Sequence, residues 1–139
     1  MIVQDIMTAD PTTVSETTSI GEALNTLSEE GIRHLPVVRH GDVVGILSDR
    51  DLSSLGFSMV NDMAGYEQIR ARLSQPVSAL MSGGVVSIGQ DAELSEAVEL
   101  FVEEKLSALP VVESGTSTLV GIISYIDLLK AASTALESL

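Results

Sequence analysis

The chain contains no cysteine. That excludes a disulfide framework, Cys-ligated zinc, an iron–sulfur cluster and a thiolate nucleophile. It has no tryptophan, and aromatic residues make up 3% of it. A core must therefore come from Val, Ile, Leu, Ala and Met, and base stacking on exposed rings is no major source of binding energy. Positive charge is scarce as well: seven Lys+Arg stand against 20 Asp+Glu, a formal −13 at pH 7, with a sequence pI near 4.2. Such a surface repels polyanions over a Debye length, so neither nucleic acid nor an anionic membrane is an expected partner. No apolar run approaches the roughly 20 residues of a membrane helix. The opening Met1-Ile2-Val3-Gln4-Asp5-Ile6-Met7 lacks the basic stretch and long apolar core of a signal peptide. A cytoplasmic location is expected.

Catalytic signatures are missing too. Ser48, His34 and Asp51 hold the letters of a triad, but no G-x-S-x-G surrounds the serine. Neither G-x-G-x-x-G nor G-x-x-x-x-G-K-[ST] occurs. His34 and His40 flank a turn at a spacing that matches no recognised metal motif. No catalytic residue, no metal site and no required cofactor is expected, and the chain reads as a non-enzyme.

What is present is a repeat. Over 139 residues, 45% of them hydrophobic, with a mean hydropathy of +0.33, the chain has the apolar content of a globule rather than a disordered segment. Met7 matches Met81, Ala23 matches Ala97, and Leu35-Pro36-Val37-Val38 matches Leu109-Pro110-Val111-Val112, all 74 apart. Val44-Gly45-Ile46 then matches Val120-Gly121-Ile122, and Asp51-Leu52 matches Asp127-Leu128, 76 apart. The two extra residues fall where Arg39-His40-Gly41-Asp42 gives way to Glu113-Ser114-Gly115-Thr116-Ser117-Thr118. A hairpin turn tolerates such an insertion because the flanking pairing survives it.

Within each copy the periodicity is readable. Ile20, Ala23, Leu24 and Leu27 form one helical stripe, and Leu94, Ala97, Val98 and Phe101 form another. Gly31 is placed to cap the first helix. Leu35–Val38 and Val43–Leu47 read as strands about a His40-Gly41 turn, as do Leu109–Val112 and Leu119–Ile123 about Ser114-Gly115. Pro36 and Pro110 cannot donate to a ladder, so their strands are expected to lie at an edge or to begin at the proline. Second helices should start near Asp49 and Tyr125. Each copy thus reads β-α-β-β-α, with repeat 1 over 1–55, a connector over 56–75 and repeat 2 over 76–139. The connector holds Gly56, Asn61, Asp62 and Gly65, then a helical stretch with Tyr66, Ile69 and Leu73 on one side. Met7 and Met81 open the copies and read as core packing.

Asp5-Ile6-Met7-Thr8, Thr13-Val14, Glu22-Ala23, His34-Leu35-Pro36-Val37-Val38 and Gly45-Ile46-Leu47-Ser48-Asp49-Arg50-Asp51 resemble a cystathionine-β-synthase-type (CBS) domain. So do Ala79-Leu80-Met81-Ser82, Glu96-Ala97, Leu109-Pro110-Val111-Val112 and Gly121-Ile122-Ile123-Ser124-Tyr125-Ile126-Asp127. The resemblance implies an α+β fold of tandem CBS repeats, a Bateman module. Two small sheets would pack pseudo-symmetrically with flanking helices and two clefts, and modules commonly pair as homodimers. It also implies adenosine-containing ligands: AMP, ADP, ATP or S-adenosylmethionine.

Ser48-Asp49-Arg50-Asp51 and Ser124-Tyr125-Ile126-Asp127 have capping-box spacing at a strand-to-helix junction, which alone accounts for both serines and both aspartates. The same groups suit a ligand, because a helix N-terminus and a hydroxyl favour an anion and a carboxylate accepts from a ribose diol. The two roles are compatible, since capping leaves lone pairs spare. By resemblance, Asp51 and Asp127 would hold ribose, with Ser48 and Ser124 beside ribose or phosphate. Copy one adds Arg33, His34 and Arg50 where copy two has Ser107, Ala108 and Ile126. The alternative for the arginines is pairing with Asp42, Asp49 or Glu30. Site one is therefore expected at Thr13, Val14, Ile32, Arg33, His34, Pro36, Ser48, Arg50 and Asp51, with a preference for phosphorylated nucleotide. A weaker site two, poorer in charge and expected to take a less anionic ligand or to stay empty, is expected at Ser87, Ser107, Pro110, Ser124 and Asp127. Thr13 and Ser87 read equally as strand-end residues, and Val14 and Ile32 as core.

With no room for a catalytic domain, the expected function is a stand-alone regulatory module. It would sense adenine nucleotide and signal through its own dimer or a regulated protein in trans. Two alternatives stand beside it: a structural dimerisation or docking module with empty clefts, and a nucleotide-processing enzyme.

Overall fold

The computed structural model describes residues 1–53, 63–81 and 84–139, with the backbone alone at 52 and 53. Gly56, Asn61 and Asp62 of the connector, and Ser82, lie outside the described residues. Among the described residues, seven strands and five α-helices follow one another as β1 (Thr8–Ala9), β2 (Val14–Ser15), α1 (Ile20–Glu30), β3 (His34–Arg39), β4 (Asp42–Ser48), α2 (Asp49–Ser53), α3 (Met63–Leu73), β5 (Ile88–Gly89), α4 (Leu94–Glu104), β6 (Ala108–Val112), β7 (Leu119–Ser124) and α5 (Tyr125–Glu137). The expected β-α-β-β-α order recurs in both copies. The sheets are β2-β3-β4 and β1-β7-β6-β5.

Two compact units emerge, and their borders interleave. One comprises Thr12–Arg39 with Val44–Gly84; the other comprises Met1–Pro11, His40–Val43 and Val85–Leu139. In the first, Ile20, Ala23 and Leu27 of α1 pack with Val14, Leu35, Val37, Leu47 and Val77, and Leu24 and Leu73 lie against that cluster. In the second, Ala97 and Phe101 of α4 pack with Val3, Ile88, Leu109, Val111 and Ile123. Both cores are aliphatic apart from Phe101. Val98, expected in the α4 stripe, is instead 45% exposed. On α3, Leu73 reaches the first core while Tyr66 stays exposed.

The prolines correct the edge-strand expectation. Pro36 lies within β3, between β2 and β4, and Pro110 lies within β6, between β7 and β5. The reason is in the register. β2 joins β3 from Val37 onward, and β5 joins β6 from Val111 onward. Each two-residue parallel partner begins one residue past the proline, so it requires no donor from the imino nitrogen.

Part of the interleaving comes from the His40–Val43 turn, where Val43 N–H donates to the Ser117 carbonyl at 2.9 Å, and the rest from the opening segment of each copy. Val3 N–H donates to the Ala92 carbonyl at 2.9 Å and Gln4 N–H to that of Gln90 at 3.0 Å. Offset by 74 in each partner, Val77 N–H donates to Thr18 at 2.8 Å and Ser78 N–H to Glu16 at 3.1 Å. Leu94 N–H to Met1 and Ile20 N–H to Gln75 form a third equivalent pair. Val3 and Val77 are fully buried by these turns, each worth about 1.5–3 kcal/mol of apolar burial. Met7 sits over Gly121 and Met81 over Gly45, so closely that a Cβ at either glycine would collide with the methionine. The expected core role of both methionines is thus met by packing on a glycine that leaves them room.

Candidate functional site

Each β-β hairpin delivers its last strand to the head of a helix. In the first copy, His40 and Gly41 both have positive φ (52° and 84°), the signature of a two-residue turn matched to strand twist. β4 ends at Ser48, and α2 begins at once. Asp51 N–H donates to Ser48 Oγ at 3.0 Å, and Ser48 N–H donates to Asp51 Oδ2 at 3.1 Å. In the second copy Asp127 N–H donates to Ser124 Oγ at 3.2 Å, and Ser124 N–H donates to Asp127 Oδ2 at 2.8 Å. Both reciprocal capping boxes therefore form.

A further bond ties each box to the strand beside it. Asp49 N–H donates to the Arg33 carbonyl at 2.9 Å, and Tyr125 N–H donates to the Ser107 carbonyl at 3.1 Å. This fixes the residue before β3 or β6 at the helix head. Arg33, His34, Ser48, Asp49 and Asp51 are accordingly brought together, within one unit. Burial lowers the His34 pKa from its ordinary 6.5; the carboxylates of Asp49 and Asp51 pull it up, and Arg33 pushes it down. Arg33, Arg50 and Asp51 are exposed, while His34 and Ser48 are half-buried. Arg39, not among the expected site residues, makes two 2.6 Å bonds to Glu16.

The remaining site-one positions surround this group in different ways. Thr13 is exposed ahead of β2, Val14 is core, and Ile32 is half-buried against the core. Pro36 is fully buried, as is Pro110. In the second copy Ser87 is half-buried ahead of β5 and Ser107 is exposed.

Beside Asp127 lies an open cavity of about 210 Å³ lined by Ile6, Asp127, Lys130, Ala131 and Thr134. Sequence reasoning missed Ile6, Lys130, Ala131 and Thr134. The signal was available, because Asp127, Lys130, Ala131 and Thr134 fall at i, i+3, i+4 and i+7 on α5 and share a face. The second copy thus has a lysine beside its aspartate that the expectation of a charge-poor site did not include. The counterparts of Lys130, Ala131 and Thr134 in the first copy fall at 54, 55 and 58, outside the described residues.

A duplicated strand–helix unit with a serine–aspartate box heading each closing helix defines a tandem α/β repeat module. The chain belongs to the CBS domain family, whose model matches residues 3–56 and 77–134. It is 32% identical over 138 residues to the A-adding tRNA nucleotidyltransferase of Aquifex aeolicus, covering 99% of this chain but 15% of that protein's length. It is 31% identical over 126 residues to the CBS domain-containing protein YhcV of Bacillus subtilis, covering 91% of this chain and 81% of YhcV. Among solved structures, it resembles CBSX2, a CBS-pair protein from Arabidopsis thaliana. To the complex of CBSX2 with AMP it is 29% identical, with a TM-score of 0.77, covering 96% of this chain and 97% of that one. A CBS domain pair of protein MJ0100, in complex with 5′-methylthioadenosine and S-adenosylmethionine, is 25% identical with a TM-score of 0.74, covering 94% and 98%. No helix among the described residues is long and apolar enough to cross a membrane.

Proposed function

We propose that the chain is a non-catalytic regulatory module that binds an adenosine-containing ligand, AMP, ADP or ATP foremost, at the helix heads. The observation that carries this reading is the Ser48–Asp51 box with Arg33 and His34 held against it by the Asp49–Arg33 backbone bond. The Ser48 hydroxyl and the positive end of the helix would meet phosphate, the arginines would add charge-assisted contacts, and the aspartate's remaining lone pairs would meet the ribose diol. The complexes of CBSX2 with AMP and of MJ0100 with S-adenosylmethionine support it by likeness. Site two, with Asp127 and Lys130 but no histidine, suits a less anionic adenosyl compound such as S-adenosylmethionine. Signalling would run through population shift in a homodimer or in a regulated protein bound in trans.

A melting panel of AMP, ADP, ATP, S-adenosylmethionine and NAD tests this. Ligand at about 100 times its Kd stabilises the native state by about 2.7 kcal/mol, a readable shift. Arg50→Ala should weaken AMP by tenfold or more, on the scale of about 1.5–3 kcal/mol for a hydrogen bond to a charged group. Unchanged calorimetric affinity would remove Arg50 from the site.

The docking reading draws on a different observation. Val98 and Val102 of α4 and Tyr125, Leu129 and Leu136 of α5 are exposed apolar residues, with Val102 at 71% and Leu136 at 67%. Spacings of four, and of four then seven, set each group on one side of its helix. A second copy covering this surface would make the homodimer, and a module with no ligand would show no melting shift with any nucleoside.

A further inference from the structure

The two copies share their capping boxes, but His34 has no counterpart, because Ala108 occupies its place at the start of β6. His34 opens β3 half-buried, directly after the residue whose carbonyl is bonded to the head of α2. Among the described residues, the charged groups that act on its ring are Asp49 and Asp51 from α2 and Arg33 from the preceding loop. Burial disfavours a cationic ring there, and two nearby carboxylates do not offset it. A phosphate arriving at the same helix head brings nearly two negative charges and strong acceptor oxygens, which favour the imidazolium.

We propose that His34 makes the first site a proton-linked discriminator: it takes up a proton as a phosphorylated nucleotide enters, so that preference for AMP over unphosphorylated adenosine grows as the pH falls. This rests on the adenosine-ligand reading given above. Where that reading requires binding, the inference requires a proton to accompany it, and it assigns that proton to one copy of the repeat. The balance is simple: one proton leaves solvent and ends on the ring, with no other bond made or broken. The second copy, with Ala108, supplies no such proton.

The experiment is calorimetric titration of the full chain with AMP and with adenosine. It runs from about pH 7.5 to about pH 6.5, above the phosphate's own second pKa of about 6, in buffers of differing ionisation heat. The AMP-to-adenosine affinity ratio should rise severalfold over that unit, below the roughly tenfold that one fully linked proton allows. Wild type should also take up more protons per AMP than His34→Gln, and in this difference the phosphate's own proton exchange cancels. A flat or falling ratio in wild type overturns the inference whether or not the variant folds, and so does equal proton uptake by wild type and a cooperatively melting variant. Absence of any AMP heat or melting shift defeats the binding reading itself, and is told apart because no ratio is then measurable.

Discussion

Lys105 ends α4 with φ 54°, the left-handed conformation that Gly31 adopts at 63° at the end of α1. A Cβ makes this backbone costly, by roughly 1–2 kcal/mol, so Lys105→Gly should add about 1 kcal/mol of stability and raise the urea midpoint accordingly. An unchanged or lower midpoint would show that the lysine side chain contributes more than its backbone costs. His34 gives a second expectation at this scale, in the absence of ligand. Its folded pKa lies below the unfolded 6.5, so the unfolded state binds more protons as the pH drops. Its contribution is complete above 6.5 and is lost as the pH falls through the folded value. Thermal scans should show wild type losing stability relative to His34→Gln over that window, and parallel curves would contradict it. The capping boxes were legible because S-x-x-D is a local pattern whose partners lie three residues apart. Lys105 was not, because nothing in a lysine announces a positive φ; the repeat offset to Gly31 was the available clue.

Among the elements, β1 and the turn that precedes it stand out. Thr8 and Ala9 pair with Ile122 and Gly121, closing the outer side of β7. Removing residues 1–9 should take Val3 and Met7 from the second core and uncover that edge. Hydrogen exchange should then quicken across β7 and β6 while α1 and β3 keep their protection. Equal loss in both units would mean that they unfold together. The strands and long helices were readable because burial imposes a period of two or 3.6 on local sequence. The opening segments were not, since Met1–Met7 shows no strand or helix period and its partners lie about 90 residues away. The proline expectation failed for a related reason: it treats the strand as a whole, whereas the parallel neighbours β2 and β5 are two residues long and start past the ring.

For the whole molecule, charge and apolar surface oppose each other. The formal −13 repels a second copy, while Val102, Leu129 and Leu136 gain by being covered. On the docking reading proposed above, dimerisation, read by sedimentation equilibrium, should tighten as salt rises from about 0.05 M to about 0.5 M, because screening removes repulsion without weakening apolar contact. The Val102→Glu, Leu129→Glu pair should yield monomer at every salt concentration. A dimer that survives both changes would place the interface elsewhere.

The exchanged opening turns carry a practical consequence. Because Val3 is sealed beneath Ala92 and Val77 beneath Thr18, a chain severed between Ser53 and Met63 would not come apart into two independent pieces. Its fragments should co-migrate on a sizing column until denaturant frees them. The protein would then behave as a natural split pair, in which neither fragment is a complete object until the other lends it a beginning.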